Sequence, residues 1–222
     1  ANTYCNMGNV YQQHGNLEKA LEMYEKDLEI TIQCLGTNHV DVARTQNNIA
    51  IVLEKQGKFD EALKTYEMSL KSKIQALGPA HVAVADTQNN IAIVLQNQGN
   101  FDEALEMYEK ALKTTIGALG PNHASVASTR NNIGQVLRKQ GRLSEAKKMY
   151  QQAEDIWKRS VGESHQSFAL ALGNIAKIHL LQGRLLEARE LLGRAKSIFH
   201  GAVGPEHEYT KWASAKLATI VI

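Results

Sequence analysis

Adjacent asparagines stand at Asn47 and Asn48, at Asn89 and Asn90, and at Asn131 and Asn132, each pair 42 residues after the one before. A carboxamide carries two N–H donors and a carbonyl acceptor. A row of them could pair with the N–H and C=O groups of an extended peptide whatever its side chains, while neighbouring residues select those side chains. The flanking copies, Cys5–Asn6 and Gly173–Asn174, keep only the second asparagine. The same amides could instead bond across to an adjoining helix and hold the copies in register. For the second asparagine of each pair peptide gripping is the leading reading, with register as the alternative. For the first the order reverses, because Cys5 and Gly173 replace it at the ends.

The other candidate chemistry is metal binding, since His39, His81, His123, His165 and His207 recur at the same 42-residue spacing. Stacked helices lie about 8–10 Å apart, whereas zinc ligands must come within about 2.0–2.1 Å of one ion. Histidines one period apart are therefore expected to tie their own loops by hydrogen bonds rather than share a metal. His14, His179 and His200 fall off this register and form no ligand cluster. No Ser/His/Asp arrangement and no phosphate-cradling glycine loop is present. The carboxylates recur at helix starts and on exposed faces. No insertion breaks the repeat, so no catalysis, cofactor or metal is expected.

The elements that position these side chains follow from the period, which should be sought before anything else. Glycines recur at Gly15, Gly57, Gly99, Gly141 and Gly183, alanines at Ala20, Ala62, Ala104, Ala146 and Ala188, and a second glycine series runs from Gly36 to Gly204. Each copy reads as two helices. In the second, Ile49, Ala50, Val52 and Leu53 make one apolar stripe, and Ala62, Leu63, Tyr66, Leu70, Ile74 and Leu77 make another. Gly57 breaks the first where a left-handed turn is easiest for glycine. Asp60 and Glu61 then suit the positive end of a new helix. Neither helix can cover its stripe alone, so neighbouring pairs must stack. The expected fold is all-α, a right-handed α-solenoid of tandem helix-turn-helix units. It is expected to form one domain over 1–222, with repeats beginning near residues 1, 43, 85, 127 and 169 and a partial sixth from about residue 208.

The pattern N-N-[IL]-[AG], then Gly, then [FL]-x-E-A, then Tyr resembles the tetratricopeptide repeat (TPR). With L-G-x-x-H between units of 42 residues, it is similar to the cargo-binding region of kinesin light chains. The resemblance covers essentially the whole chain. It implies a groove, lined by the first helix of each unit, that holds peptides with acidic residues. The second asparagine faces that groove, beside a basic residue four places earlier and another late in the preceding second helix. These positions carry over to Asn6, Asn48, Asn90, Asn132 and Asn174, to Arg44, and to Lys73. Asp86, Ser128 and Leu170 depart at the first basic position and Thr31, Thr115 and Trp157 at the second, so the acidic preference is met only in part.

Helical spacing adds further inward residues: Asn47 in the second unit, Asn89 in the third, Asn131, Arg138 and Lys139 in the fourth, and Lys177 in the fifth. An acidic anchor is expected near Arg138, Lys139 and Lys177. Leu170, Leu180 and Leu181 replace polar inward residues in the fifth unit, either as a dock for an apolar side chain or as the seat of the segment from Tyr209 to Ile222. The apolar end Ile220, Val221 and Ile222 reads as a boundary or a self-association surface.

Composition limits the alternatives. A formal net charge of +2 is a poor footprint for tracking phosphates, and few aromatics face the groove, so RNA is not an expected partner. No apolar run approaches the roughly 20 residues that span a bilayer. Two cysteines, Cys5 and Cys34, fit a reducing, cytoplasmic setting. The counterparts of Cys34 are Ala76, Ala118, Ser160 and Ala202, which reads as a packing site for a small side chain. The expected function is a non-catalytic module that binds an extended peptide of a partner protein, as a kinesin-light-chain-like cargo or scaffold adaptor. The alternative is a structural spacer or self-association element of a larger protein.

Overall fold

The computed structural model describes residues 2–220. Ala1, where the first repeat was expected to begin, and the apolar end residues Val221 and Ile222 lie outside them. Eleven α-helices and no strand occur among the described residues.

The chain divides into two compact units, residues 1–118 and 119–222. The first holds three helical hairpins: α1 (Asn2–Gln13) with α2 (Leu17–Leu35), α3 (Val40–Lys55) with α4 (Phe59–Leu77), and α5 (Val82–Gln98) with α6 (Phe101–Leu119). The second holds α7 (Ala124–Lys139) with α8 (Leu143–Ser160), α9 (Gln166–Leu181) with α10 (Leu185–Val203), and a last helix, α11 (Glu208–Ala218). We call the first helix of each hairpin A and the second B; α11 is an A helix.

Local chemistry sets these boundaries. The ten periodic glycines hold φ between 71° and 89°, the left-handed region that other residues enter only with strain. The five periodic histidines cap the A helices that follow them. Nδ1 of His39, His81, His123, His165 and His207 accepts from the backbone N–H two residues on, at 3.1–3.3 Å. This is the loop-tying role expected of them, and it satisfies one of the orphan donors of a helix start. It also fixes the tautomer, because an accepting Nδ1 cannot carry the proton.

Packing between the helices of a hairpin rests on the periodic alanines, all with no exposed surface, and on Tyr24, Tyr66, Tyr108 and Tyr150, buried equally deeply. At Gly8 and Gly134 the ring of Tyr24 or Tyr150 presses so closely that a Cβ would come within 2.5 or 2.7 Å of it. The position of Cys34 corrects an expectation. Cys34 is exposed, as are Ala76, Ala118, Ser160 and Ala202, so burial does not explain the small residues there. Leu180 packs with Leu217 of α11 around a cluster that includes Ala176, Leu192 and Ile220, so the last segment does cover it, whereas Leu181 stays 60% exposed.

Candidate functional site

In the first unit the A helices α3 and α5 lie side by side. The Nδ2 of Asn90 donates to Oδ1 of Asn47 across them at 3.4 Å. One repeat earlier, Nδ2 of Asn48 points at Sγ of Cys5 from 3.8 Å. A third contact with the same offset joins Nδ2 of Asn97 to Oε1 of Glu54 at 3.5 Å. Each is long for a hydrogen bond and holds its amide only loosely. Asn47, Asn48, Asn89 and Asn90 are half-buried, and Asn6 is exposed beside Thr3, Met7, Val10 and Tyr11 in a hollow of 430 Å³.

The two basic residues of this unit differ sharply. Arg44 is exposed and reaches Asp41 at 3.1 Å. Lys73 is only 8% exposed, and its ammonium donates to Oγ1 of the buried Thr87 at 2.6 Å. Burial lowers the Lys73 pKa, with the Asp86 charge opposing. Lys73 therefore stands inside the packing between repeats and is not displayed as Arg44 is.

In the second unit the asparagine contact becomes a strong bond. Nδ2 of Asn174 on α9 donates to Oδ1 of Asn131 on α7 at 2.7 Å, with both residues 3% exposed. The geometry gives the double asparagine a structural meaning: the first member accepts from the next repeat, and the second donates to the preceding one. Asn132 is half-buried, Lys139 exposed and Arg138 half-buried. Lys177 donates to Oδ1 of Asn174 at 3.2 Å and lies 4.5 Å from the centroid of the Trp212 ring, a cation–π contact.

Around Lys177 is a cavity of 320 Å³, lined by Leu170, Asn174 and Lys177 of α9 and by Glu208, Tyr209 and Trp212 of α11, with Phe199 at its back. Burial, joined by the like charges of Arg138 and Lys216, pushes the Lys177 pKa down to about 8. A half-buried cation held by an amide oxygen and a ring face can receive a carboxylate ligand, in a cavity whose own carboxylate is that of Glu208. The sequence reading missed Trp212 as a member of this site. Its register was the available signal, since Trp212 falls at the position of Arg44, Asp86, Ser128 and Leu170 in the earlier repeats.

With the hairpins and their facing amides described, the chain can be set beside known proteins. The tetratricopeptide repeat family model matches residues 1–75 and 83–159, and a second model of the same repeat matches residues 131–201. This chain belongs to the tetratricopeptide repeat family. No curated protein matches it. Among solved structures it is similar to a kinesin-light-chain-like protein of nearly identical TPR-like repeats from Podosopora anserina. The identity is 22%, the match covers 90% of this chain and 95% of the other, and the TM-score is 0.74. It is also similar to BtubC (BKLC) from P. vanneervenii, at 24% identity over 87% of this chain and 77% of that one, with a TM-score of 0.76. These likenesses establish the fold: an α-solenoid of long tetratricopeptide hairpins resembling those of kinesin light chains. Tetratricopeptide repeats are in general protein-interaction modules without catalytic activity. No helix among the described residues is long and apolar enough to cross a membrane.

Proposed function

We propose that this module is non-catalytic and holds an extended peptide segment of a partner protein along its A helices, in the manner of a kinesin-light-chain-like cargo or scaffold adaptor. Asn48, Asn90 and Asn132 meet the peptide backbone, with Asn6, Asn47, Asn89 and Arg44 beside them. An acidic residue of the peptide is drawn to Lys177, supported by Arg138 and Lys139. Asn131 and Asn174 contribute by fixing the repeat that carries Lys177, and Lys73 by fixing the junction next to Asp86.

The observation that carries this reading is the half-buried state of Asn48 and Asn90. Each has one loose contact of 3.8 or 3.4 Å, which leaves amide capacity that burial does not consume. A purely structural amide would look like Asn174, buried and bonded at 2.7 Å. The free cysteines Cys5 and Cys34 fit a reducing cytoplasmic location.

The test is an array of extended peptides with and without acidic residues, followed by fluorescence polarisation on the hits. Asn90→Ala and Asn132→Ala should each weaken a bound peptide roughly fivefold to tenfold, as expected for one lost hydrogen-bonding group. Lys177→Met should weaken acidic peptides selectively. Hits whose affinity ignores both asparagines would remove the reading.

A further inference from the structure

The outward face of α10 breaks the rule that the other B helices keep. Where earlier repeats place Glu18, Asp60, Asp102 and Ser144, this helix has Leu186, and it is 67% exposed. Glu25, Glu67, Glu109 and Gln151 give way to Gly193, and Glu29, Lys71, Lys113 and Asp155 to Ser197. The loss of those side chains opens a groove of 690 Å³ along the helix, bordered by Glu163, Leu186, Glu190, Gly193 and Arg194. A second hollow continues it past Ser197 to Gly201.

Nothing inside the chain accounts for these glycines. A Cβ at Gly193 or Gly201 would meet no atom within 4 Å, and neither residue has a positive φ. Gly8, Gly134 and Gly173, by contrast, each sit against an aromatic ring that a Cβ would strike. Gly117 is open in the same way, but Glu109 and Lys113 remain beside it, so no groove forms there. A glycine inside a helix is less stable than alanine by about 1 kcal/mol, and here the folded chain offers no compensating contact.

The face is complementary to itself when run backwards. About a two-fold axis placed between Gly193 and Arg194, Leu186 falls opposite Gly201 and Glu190 opposite Ser197. In that arrangement the exposed leucine would enter the notch floored by glycine, the carboxylate of Glu190 would accept from the serine hydroxyl, and Arg194 of the other copy would lie within one helical turn of that carboxylate. Within its own chain Arg194 reaches Glu163 at 3.9 Å and also acts on the charge of Glu154, and no ion pair is seen at Glu190 among the described residues. An isologous contact requires knob and hole, acid and base, on one patch at equal distances from the axis. We propose that this face of α10 binds a second copy of the same chain, antiparallel, in a two-fold dimer. The proposal concerns a B helix and is independent of the peptide reading above.

The test is sedimentation equilibrium of the chain across a concentration range reaching about 100 µM, appropriate to a contact of modest area. A monomer–dimer equilibrium is expected. Gly201→Gln installs the residue that Gln33 and Gln75 place there, fills the notch opposite Leu186, should leave the helix intact by circular dichroism, and should weaken the dimer at least roughly tenfold. Glu190→Arg and Arg194→Glu should each weaken it, and the two together should recover most of the loss, a rescue that general damage to the fold cannot produce. A wild-type chain that stays monomeric, including one whose groove is filled by a different protein, overturns the proposal. So does a dimer indifferent to Gly201→Gln, or a charge swap that restores nothing.

Discussion

Replacing Lys177 with methionine tests the electrostatics of the α9–α11 cavity directly. The folded chain holds the Lys177 ammonium half-buried beside Arg138 and Lys216, and its pKa falls from the ordinary 10.5 to about 8. At about 1.4 kcal/mol per pH unit, that difference disfavours the charged folded state by about 3 kcal/mol at neutral pH. Against that, methionine forfeits the hydrogen bond to Asn174 and part of the contact with the Trp212 ring, together about 1–2 kcal/mol. Methionine keeps the unbranched length without the charge, so Lys177→Met should stabilise the second unit by about 1–2 kcal/mol at pH 7. Both tryptophans of the chain, Trp157 and Trp212, lie in that unit, so urea unfolding followed by tryptophan fluorescence reports on it alone.

The pH dependence has a definite sign. Between about pH 8 and 10.5 the unfolded chain keeps a proton on Lys177 that the folded chain has released. Wild-type stability therefore rises with pH across that window through this group, and the advantage of the methionine variant shrinks. Tyr150, pushed up to about 12 by burial, acts oppositely above pH 10 but equally in both proteins, and it cancels in the difference. A variant less stable than wild type at pH 7, or a gap that stays constant from pH 8 to 10, would refute the reasoning.

Three further outcomes follow from the same structure. Asn131→Ala strands the buried amide of Asn174 and should destabilise the second unit by about 1–3 kcal/mol. Asn47→Ala should lower the stability of the first by less than about 1 kcal/mol, because the bond from Asn90 is 3.4 Å long and half-exposed; urea titrations giving the reverse order would contradict this. His123→Ala removes an N-cap and should destabilise by about 1 kcal/mol, with His123→Asn restoring most of it. Equal losses in the two variants would show that the ring acts otherwise. Lys73→Thr installs the residue found at Thr31 and Thr115 and removes a buried charge, so thermal unfolding should shift by less than about 1 kcal/mol or toward greater stability. A loss above about 2 kcal/mol would make the bond to Thr87 a principal support of the junction.

Features fixed by neighbours in sequence were legible without coordinates. The glycine turns, the histidine caps and the alanine contacts each depend on a few residues along the chain, and the 42-residue period displayed them five times over. Depth was harder to read. Helical spacing points Lys73, Asn131 and Asn174 toward the A-helix side of the hairpins, but it does not say that the adjoining repeat closes over them. The amide contacts span 43 residues rather than 42, because the second asparagine of one helix meets the first of its neighbour. That sideways offset comes from how two helices pack, and no single repeat encodes it.

The offset also explains where the asparagine pair stops. A relay in which each first member accepts and each second member donates needs no acceptor where the next A helix carries Lys216 in place of the donating asparagine. Gly173 stands at that position, and a Cβ there would come within 2.9 Å of the Trp212 ring. At the other end Cys5 offers a weak sulfur acceptor to Asn48. The relay constrains both asparagines wherever it runs, but it leaves the position four residues before the second one untouched. That column reads Arg44, Asp86, Ser128, Leu170 and Trp212: a cation, an anion, a hydroxyl, an alkyl group and an indole on exposed or half-exposed sites. Residues that hold repeats together must stay alike from copy to copy, whereas residues that meet a non-repeating ligand must differ. The peptide reading proposed above predicts this division, amides repeated from copy to copy beside a column that varies.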